Sequence, residues 1–219
     1  MTRTLPLLAL LLLALAPAVR ADDWVLARRD DARDIRVYVR PTPNSTYKRF
    51  YATTRVPARL GSVVAVLSDV PALPEWIARM SSARLLRREA NRDIWLHSTY
   101  RLPYPFQERE AVRHSSLQQD KVGVVEIVTR AEPGVVAPNP RRVRLLDMHS
   151  LWRLTPEKNG MVKIELWGEG LPGGYVPHLL FNYNLPDEPL QTLRNLRQML
   201  TRDKYRGRKL DYIREPAEK

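Results

Sequence analysis

Alternation of hydrophobic and polar residues at every second position predicts two adjoining β-strands near the start of the chain. Ile35, Val37 and Val39 alternate with Arg and Tyr residues, which is the period of a strand that buries one face. Residues 50–56 repeat this pattern. The segment between them, 41–45, contains two Pro, an Asn and a Ser, which favour turns. The two strands are therefore expected to pair in antiparallel orientation.

Helical periodicity replaces the alternation in two places. The apolar residues at 60, 63, 64 and 67 fall on one stripe of an amphipathic helix. A longer helix is predicted from about Tyr175 to Leu200, with interruptions at Pro186 and Pro189. Between the two helices, alternation predicts five more strands, at residues 93–101, 108–118, 122–131, 142–154 and 161–170.

These elements predict an α+β domain, in which an antiparallel sheet packs one face on helices and leaves the other in water. The chain has 219 residues and shows no internal repeat or low-complexity linker, so one domain accounts for it. Its 44% hydrophobic residues exclude a wholly disordered chain, which lacks the apolar area to offset the entropy of ordering.

Composition narrows the partners of this domain. The chain carries 36 Lys and Arg against 24 Asp and Glu, a net charge of +12. These cations are spread along the chain without a recognition motif, so we expect no nucleic acid partner, although transient contact with an anionic membrane surface fits the charge. We expect a monomer. The chain has no Cys, and His97, His114, His149 and His178 are scattered, so no metal or cofactor is expected.

The N-terminus has the pattern of a secretory signal peptide. Arg3 precedes a Leu-rich run at residues 5–16, which is too short to span a bilayer. Val19 and Ala21 are small residues at the positions that a signal peptidase requires. We therefore predict a signal peptide at 1–21 and a periplasmic or secreted protein beginning at Asp22. A ligand-binding domain is predicted at 22–201 and a basic tail at 202–219.

One pair of carboxylates is the best candidate for acid–base chemistry. Glu108 and Glu110 lie two residues apart on a predicted strand and so share a face. The alternative is a solvated strand edge on which they pair with Arg109 or Arg101. The sequence contains no nucleophile elbow, phosphate-binding loop or dinucleotide motif. We therefore assign no catalytic residue, and an enzyme is not the expected class.

Several segments resemble, in order, motifs of START (steroidogenic-acute-regulatory-related lipid transfer) domains. Residues 103–110, Pro-Tyr-Pro-Phe-Gln-Glu-Arg-Glu, are similar to the PWPxxDRD signature of bacterial members. Tyr104 replaces the Trp of that signature, and Glu110 replaces its last Asp. The further matches are Trp24 with residues 34–40, residues 143–145 with Trp152, and residues 173–182, which resemble the GGxxP…N sequence before the final helix.

The resemblance implies a helix-grip fold, in which a curved antiparallel sheet wraps around a long C-terminal helix and encloses an apolar tunnel. An exported lipid- or sterol-binding or transfer protein with one ligand in that tunnel is the expected function. The alternatives are a helix-grip cyclase or hydrolase acting on a hydrophobic substrate, and an interaction module with a filled interior. The predicted ligand-binding residues are Trp76, Leu96, Ser98, Tyr100, Arg109, Val125, Ile127, Leu166, Val176, Leu179, Leu180 and Tyr183.

Overall fold

The computed structural model describes residues 23–216, so the predicted signal peptide and its cleavage site lie outside the described residues. Ten strands form one sheet in the order β1-β2-β3-β10-β9-β7-β6-β5-β4, and β8 pairs with β6 beside this path. The strands are β1 Val25–Asp30, β2 Ile35–Pro41, β3 Lys48–Pro57, β4 Met80–Glu89, β5 Asp93–Tyr100, β6 Arg109–Gln119, β7 Val125–Ala131, β8 Val143–Arg144, β9 Met148–Pro156 and β10 Met161–Gly170.

The predicted strands are confirmed with small changes. β2 pairs antiparallel with β3, as the alternation at residues 35–56 predicts. The prediction of one strand over residues 142–154 is wrong, because this stretch divides into the short β8, parallel to β6, and the long β9. Two strands were not predicted, β1 and β4, and they form the two edges of the sheet.

The helices cover one side of this sheet. They are α1 Leu60–Ser68, α2 Leu73–Trp76, α3 His178–Asn184 and α4 Asp187–Met199. The predicted interruption at Pro186 is confirmed, since α3 ends before this residue and α4 begins after it. The interruption predicted at Pro189 is wrong, because α4 contains this residue in its first turn, where the missing N–H of a proline breaks no helical hydrogen bond. The α+β helix-grip fold, with the sheet curved around the C-terminal helix, is confirmed as well. No helix within residues 23–216 is long and apolar enough to cross a membrane.

The segment after α4, predicted as a basic tail, packs on the domain. Tyr205 is 2% exposed, and Ile213 is buried in the same hydrophobic core. Both carboxylate oxygens of Glu215 accept hydrogen bonds at the start of α1, from the backbone N–H groups of Leu60 at 3.1 Å and Gly61 at 2.8 Å. A carboxylate is favourable here because the first N–H groups of a helix have no partner within it.

Candidate functional site

A small cavity lies between the sheet and the helical layer. Its volume is about 60 Å³. Its sheet wall consists of cross-strand neighbours, with Leu96 opposite Arg113, and Leu117 opposite Ile127. The full lining is Leu67, Ser68, Leu73, Trp76, Ile77, Arg88, Asn91, Arg92, Ile94, Leu96, Arg113, Ser115, Leu117, Ile127, Thr129 and Trp152.

Two tryptophan side chains meet in the wall of this cavity. Trp76 from α2 is 1% exposed and meets Trp152 of β9 edge to face, with ring centroids 5.9 Å apart. Pockets that enclose a small-molecule ligand generally measure ~300–1,000 Å³. At about 60 Å³, the cavity has room for a few water molecules. A molecule of lipid size therefore does not fit the cavity at this volume.

The structure brings some of the predicted ligand-binding residues together. Trp76, Leu96 and Ile127 line the cavity. The others on the sheet, Ser98, Val125 and Leu166, are buried beside it without reaching its surface, and Tyr100 is half-buried. The inward orientation expected for these sheet positions agrees with the structure.

The predicted contribution of α3 to the cavity wall is wrong. Leu179 is 74% exposed, Tyr183 is 72% exposed, and Leu180 is exposed as well. This helix contacts the β2–β3 hairpin through its other face, where Phe181 packs edge to face on Tyr47. The helical spacing correctly predicts that this segment is a helix, but it does not predict which face of the helix is buried. Val176, just before α3, is buried, although it does not line the cavity.

Arg109, predicted to orient the ligand, serves instead as a structural clamp. Its guanidinium donates to the backbone carbonyl oxygens of Gln107, Pro172 and Gly173, with distances of 2.5, 3.0 and 3.0 Å. Burial lowers the pKa of Arg109 from its ordinary value. Since these donors are directed at backbone oxygens, this residue joins the start of β6 to the segment that leads into α3.

The neighbouring carboxylates are also structural. Glu110 is buried and accepts hydrogen bonds from Arg144 at 2.9 Å, from the His97 ring at 2.9 Å and from the Asn139 N–H at 2.7 Å. Burial acts to raise the pKa of Glu110, but these hydrogen bonds outweigh it and hold the pKa below its usual value. Glu108 pairs with Arg142 at 3.1 Å. The pairing expected in the non-catalytic alternative is therefore present, although mainly with arginines other than those predicted.

Arg113 is a site residue that the sequence analysis missed. It lines the cavity from β6, is 9% exposed, and lies 6.0 Å from the Tyr100 ring. Its Nε and Nη2 atoms have no hydrogen-bond partner among residues 23–216, and neither does Nε1 of Trp76. One signal was available, because Arg113 shares the inward face of β6 with Ser115 and Leu117.

The helical side of the cavity is formed by residues 69–78, called the lid, together with the end of α1. The lid is attached to the C-terminal part of the chain by polar contacts. Asn195 of α4 donates to the Trp76 carbonyl oxygen at 3.1 Å, and Thr192 accepts from the Ala78 N–H at 3.1 Å. At the other end of the lid, Asp69 accepts from Lys204 and from Tyr205. Glu75, next to Trp76, pairs with Arg202.

Comparison with known proteins gives relatives of this fold. No protein-family model matches the chain. An uncharacterized protein of Pseudomonas aeruginosa is 29% identical over 177 residues, which span 81% of this chain and 86% of that protein. A STAR-related lipid transfer protein fragment from Xanthomonas axonopodis has a TM-score of 0.75 and 26% identity, covering 81% of this chain and 98% of the fragment. Human STARD10 has a TM-score of 0.70 and 13% identity, covering 80% and 72%.

The likeness to the human protein shows the fold alone, whereas the Xanthomonas structure also matches in sequence over nearly its whole length. The segment 103–110, which carries the sequence resemblance, forms the turn into β6 that Arg109 clamps to the C-terminal part of the chain. Fold, sequence likeness and the order of motifs agree, and the chain has the fold of START (STAR-related lipid transfer) domains.

Proposed function

We propose that this protein binds one lipid or sterol molecule between its sheet and its lid, and carries it between membranes. The main support for the proposal is the cavity, whose wall consists mainly of Leu, Ile and Trp side chains. The lid that covers it is hydrogen-bonded to α4. The similarity to a STAR-related lipid transfer protein supports it.

Opening of the lid would supply the missing volume. Burial of an acyl chain contributes about 0.8 kcal/mol for each CH₂ group removed from water. The polar contacts that hold the lid contribute about 1 kcal/mol each. Burial of a lid side chain such as Leu73 contributes about 1.5–3 kcal/mol more. A chain of lipid length therefore offsets the loss of several such contacts, so a closed ligand-free form and an open loading form are compatible.

We also propose that the exposed face of α3 contacts membranes. Leu179, Leu180 and Tyr183 are exposed on this helix, and Tyr175 is exposed just before it. Exposed apolar side chains that lie together are typical of interaction surfaces. The net charge, +12 for the whole chain and +10 without Arg3 and Arg20 of the predicted signal peptide, supports an anionic phospholipid membrane as the partner, since basic residues near such a surface each contribute about 1 kcal/mol.

The proposed location is the periplasm or the exterior of the cell, on the strength of the signal pattern at residues 1–21. Sequencing of the N-terminus of the exported protein tests this. We expect it to begin at Asp22, and a retained Met1 would contradict both the signal peptide and the location.

No observation favours the enzyme alternative. The carboxylates of Glu108 and Glu110 are bound by arginines and do not line the cavity. The proposed mechanism is burial of a ligand without bond chemistry, and it calls for no metal or cofactor.

A matched pair of variants tests the binding function. Ile127→Trp places a large ring in the cavity, whereas Val128→Trp changes the next residue of β7, which does not line it. Transfer between vesicles is followed with a pyrene-labelled phospholipid and with a fluorescent sterol. We expect Ile127→Trp to stop the transfer of each lipid that the wild type carries, and Val128→Trp to keep it. Overpacking of the cavity lowers the free energy of unfolding by about 1–3 kcal/mol, and a thermal melt will detect this change. Equal transfer by both variants would contradict the proposal.

A further inference from the structure

We infer that the ligand is an anionic amphiphile, whose carboxylate or phosphate group binds Arg113 inside the cavity. This inference rests on the proposed function and specifies its ligand class. The cavity wall contains hydrogen-bond donors of Arg113 and Trp76 that have no acceptor among the described residues.

Arg113 differs from the other buried arginines of the domain. Arg109 directs its guanidinium at three backbone carbonyl oxygens, and Arg144 directs its own at Glu110 and at carbonyl oxygens such as that of Val136. Arg113 is 9% exposed, yet its Nε and Nη2 have no acceptor among the described residues. An arginine keeps its charge in proteins, and a buried charge without a partner is unfavourable. This position is therefore prepared for an acceptor from outside the chain.

The free atoms indicate the geometry of that acceptor. Nε and Nη2 are the two nitrogens on one edge of the guanidinium, which can donate side by side to two oxygens of one group. Carboxylates and phosphates present two oxygens at the matching spacing. A hydroxyl group, such as that of a sterol or an alcohol, offers one oxygen and no charge.

The charges of the other residues in the cavity wall also favour a ligand with a negatively charged head group. Arg88 and Arg92 also line the cavity, and no Asp or Glu belongs to its lining in the part of the chain that the structure describes. Trp76 adds an Nε1–H without a partner. Nine of the sixteen lining residues are Leu, Ile or Trp, so the complementary ligand has an anionic group and a hydrocarbon chain.

Ligands that share one acyl chain and differ in head group test this inference. Isothermal titration compares oleate and oleoyl lysophosphatidic acid with oleyl alcohol, and inorganic phosphate serves as the anion without a chain. We expect both anionic lipids to bind at least about tenfold more tightly than the alcohol. The reason is that a charge-assisted pair of hydrogen bonds to Arg113 adds this much to the binding affinity. The stronger of the two identifies carboxylate or phosphate as the head group. Binding of phosphate with the affinity of the lipids would overturn the inference.

Substitution assigns the preference to the arginine. We expect Arg113→Leu to bind oleyl alcohol as well as the wild type does while losing the preference for anionic lipids, and Arg113→Lys to keep part of it. Removal of the unpaired charge should raise the melting temperature of the ligand-free protein. Arg130→Leu is the matched control, since this arginine is exposed on β7 outside the cavity lining, and it should keep the preference.

The outcomes separate the inference from the proposed function. Equal binding of anionic lipids and alcohol by the wild type, or an unchanged preference in Arg113→Leu, would overturn the role of Arg113 and leave lipid binding intact. Failure of the wild type to bind any of the lipids would overturn both.

Discussion

Loosening of the lid should accelerate ligand exchange by an amount that follows from two hydrogen bonds. Thr192 is buried in α4 and accepts from the Ala78 N–H at 3.1 Å. Asn195, one turn later, donates to the Trp76 carbonyl oxygen at 3.1 Å. Both bonds join the C-terminal end of the lid to α4, so they stabilise the closed state and not the open one.

The variants Thr192→Val and Asn195→Ala each remove one of these bonds. Each bond contributes about 1 kcal/mol, so a single variant should raise the open population about fivefold and the double variant about 30-fold. We expect the exchange rate of a bound fluorescent fatty acid, followed by stopped-flow fluorescence, to rise by the same factors. Amide hydrogen exchange at Ala78 should accelerate in parallel.

Thr201→Val is the matched control, because the Thr201 hydroxyl donates to Gln198 within the same turn and does not contact the lid. Its exchange rate should equal that of the wild type. If the double variant also exchanges ligand at the wild-type rate while amide exchange at Ala78 accelerates, the lid opens without admitting ligand. The route into the cavity would then lie elsewhere.

Two further predictions concern stability and membrane contact. Because the pKa of Glu110 is lower in the folded protein than in an unfolded chain, its contribution to stability is present near neutral pH and is lost as the pH falls through the folded value. Glu110→Gln should lower the free energy of unfolding by about 3 kcal/mol at pH 7. It should also make the free energy of unfolding fall less steeply in acid, which urea unfolding between about pH 2 and 7 will measure. The same pH dependence in the variant as in the wild type would contradict this prediction. Leu179→Ser with Tyr183→Ser should weaken binding to phosphatidylglycerol vesicles in a flotation assay without changing the melting temperature, because both side chains are exposed; wild-type flotation would exclude α3 as the contact.

The sequence predicts those elements of the fold that have one buried face. Periodicity locates β2, β3 and α1, because each of them alternates or repeats against the core. It misses β1 and β4, which are the two edge strands of the sheet. The second half of β4 is exposed at almost every position, so no alternation of burial marks it. An edge strand is defined by its hydrogen-bonding neighbour, and single-residue patterns do not contain that information.

The candidate site is predicted less well than the fold, for two reasons. Pro186 separates α3 from α4, so the stripe that contains Leu179 points to solvent while the stripe of α4 faces the core. The second reason concerns which arginine was predicted to contact the ligand. Arg109 belongs to the most recognisable motif, yet it binds backbone oxygens. The position of Arg113 on the inward face of β6 can be read from the sequence, but the cavity beside it is created by long-range contacts.

Native mass spectrometry of the protein, purified without detergent, tests the central claim most directly. We expect one non-covalently bound molecule of lipid mass for each chain, absent from Ile127→Trp and present in Val128→Trp. Chains that carry no ligand, under conditions where a known lipid carrier keeps its cargo, would contradict it.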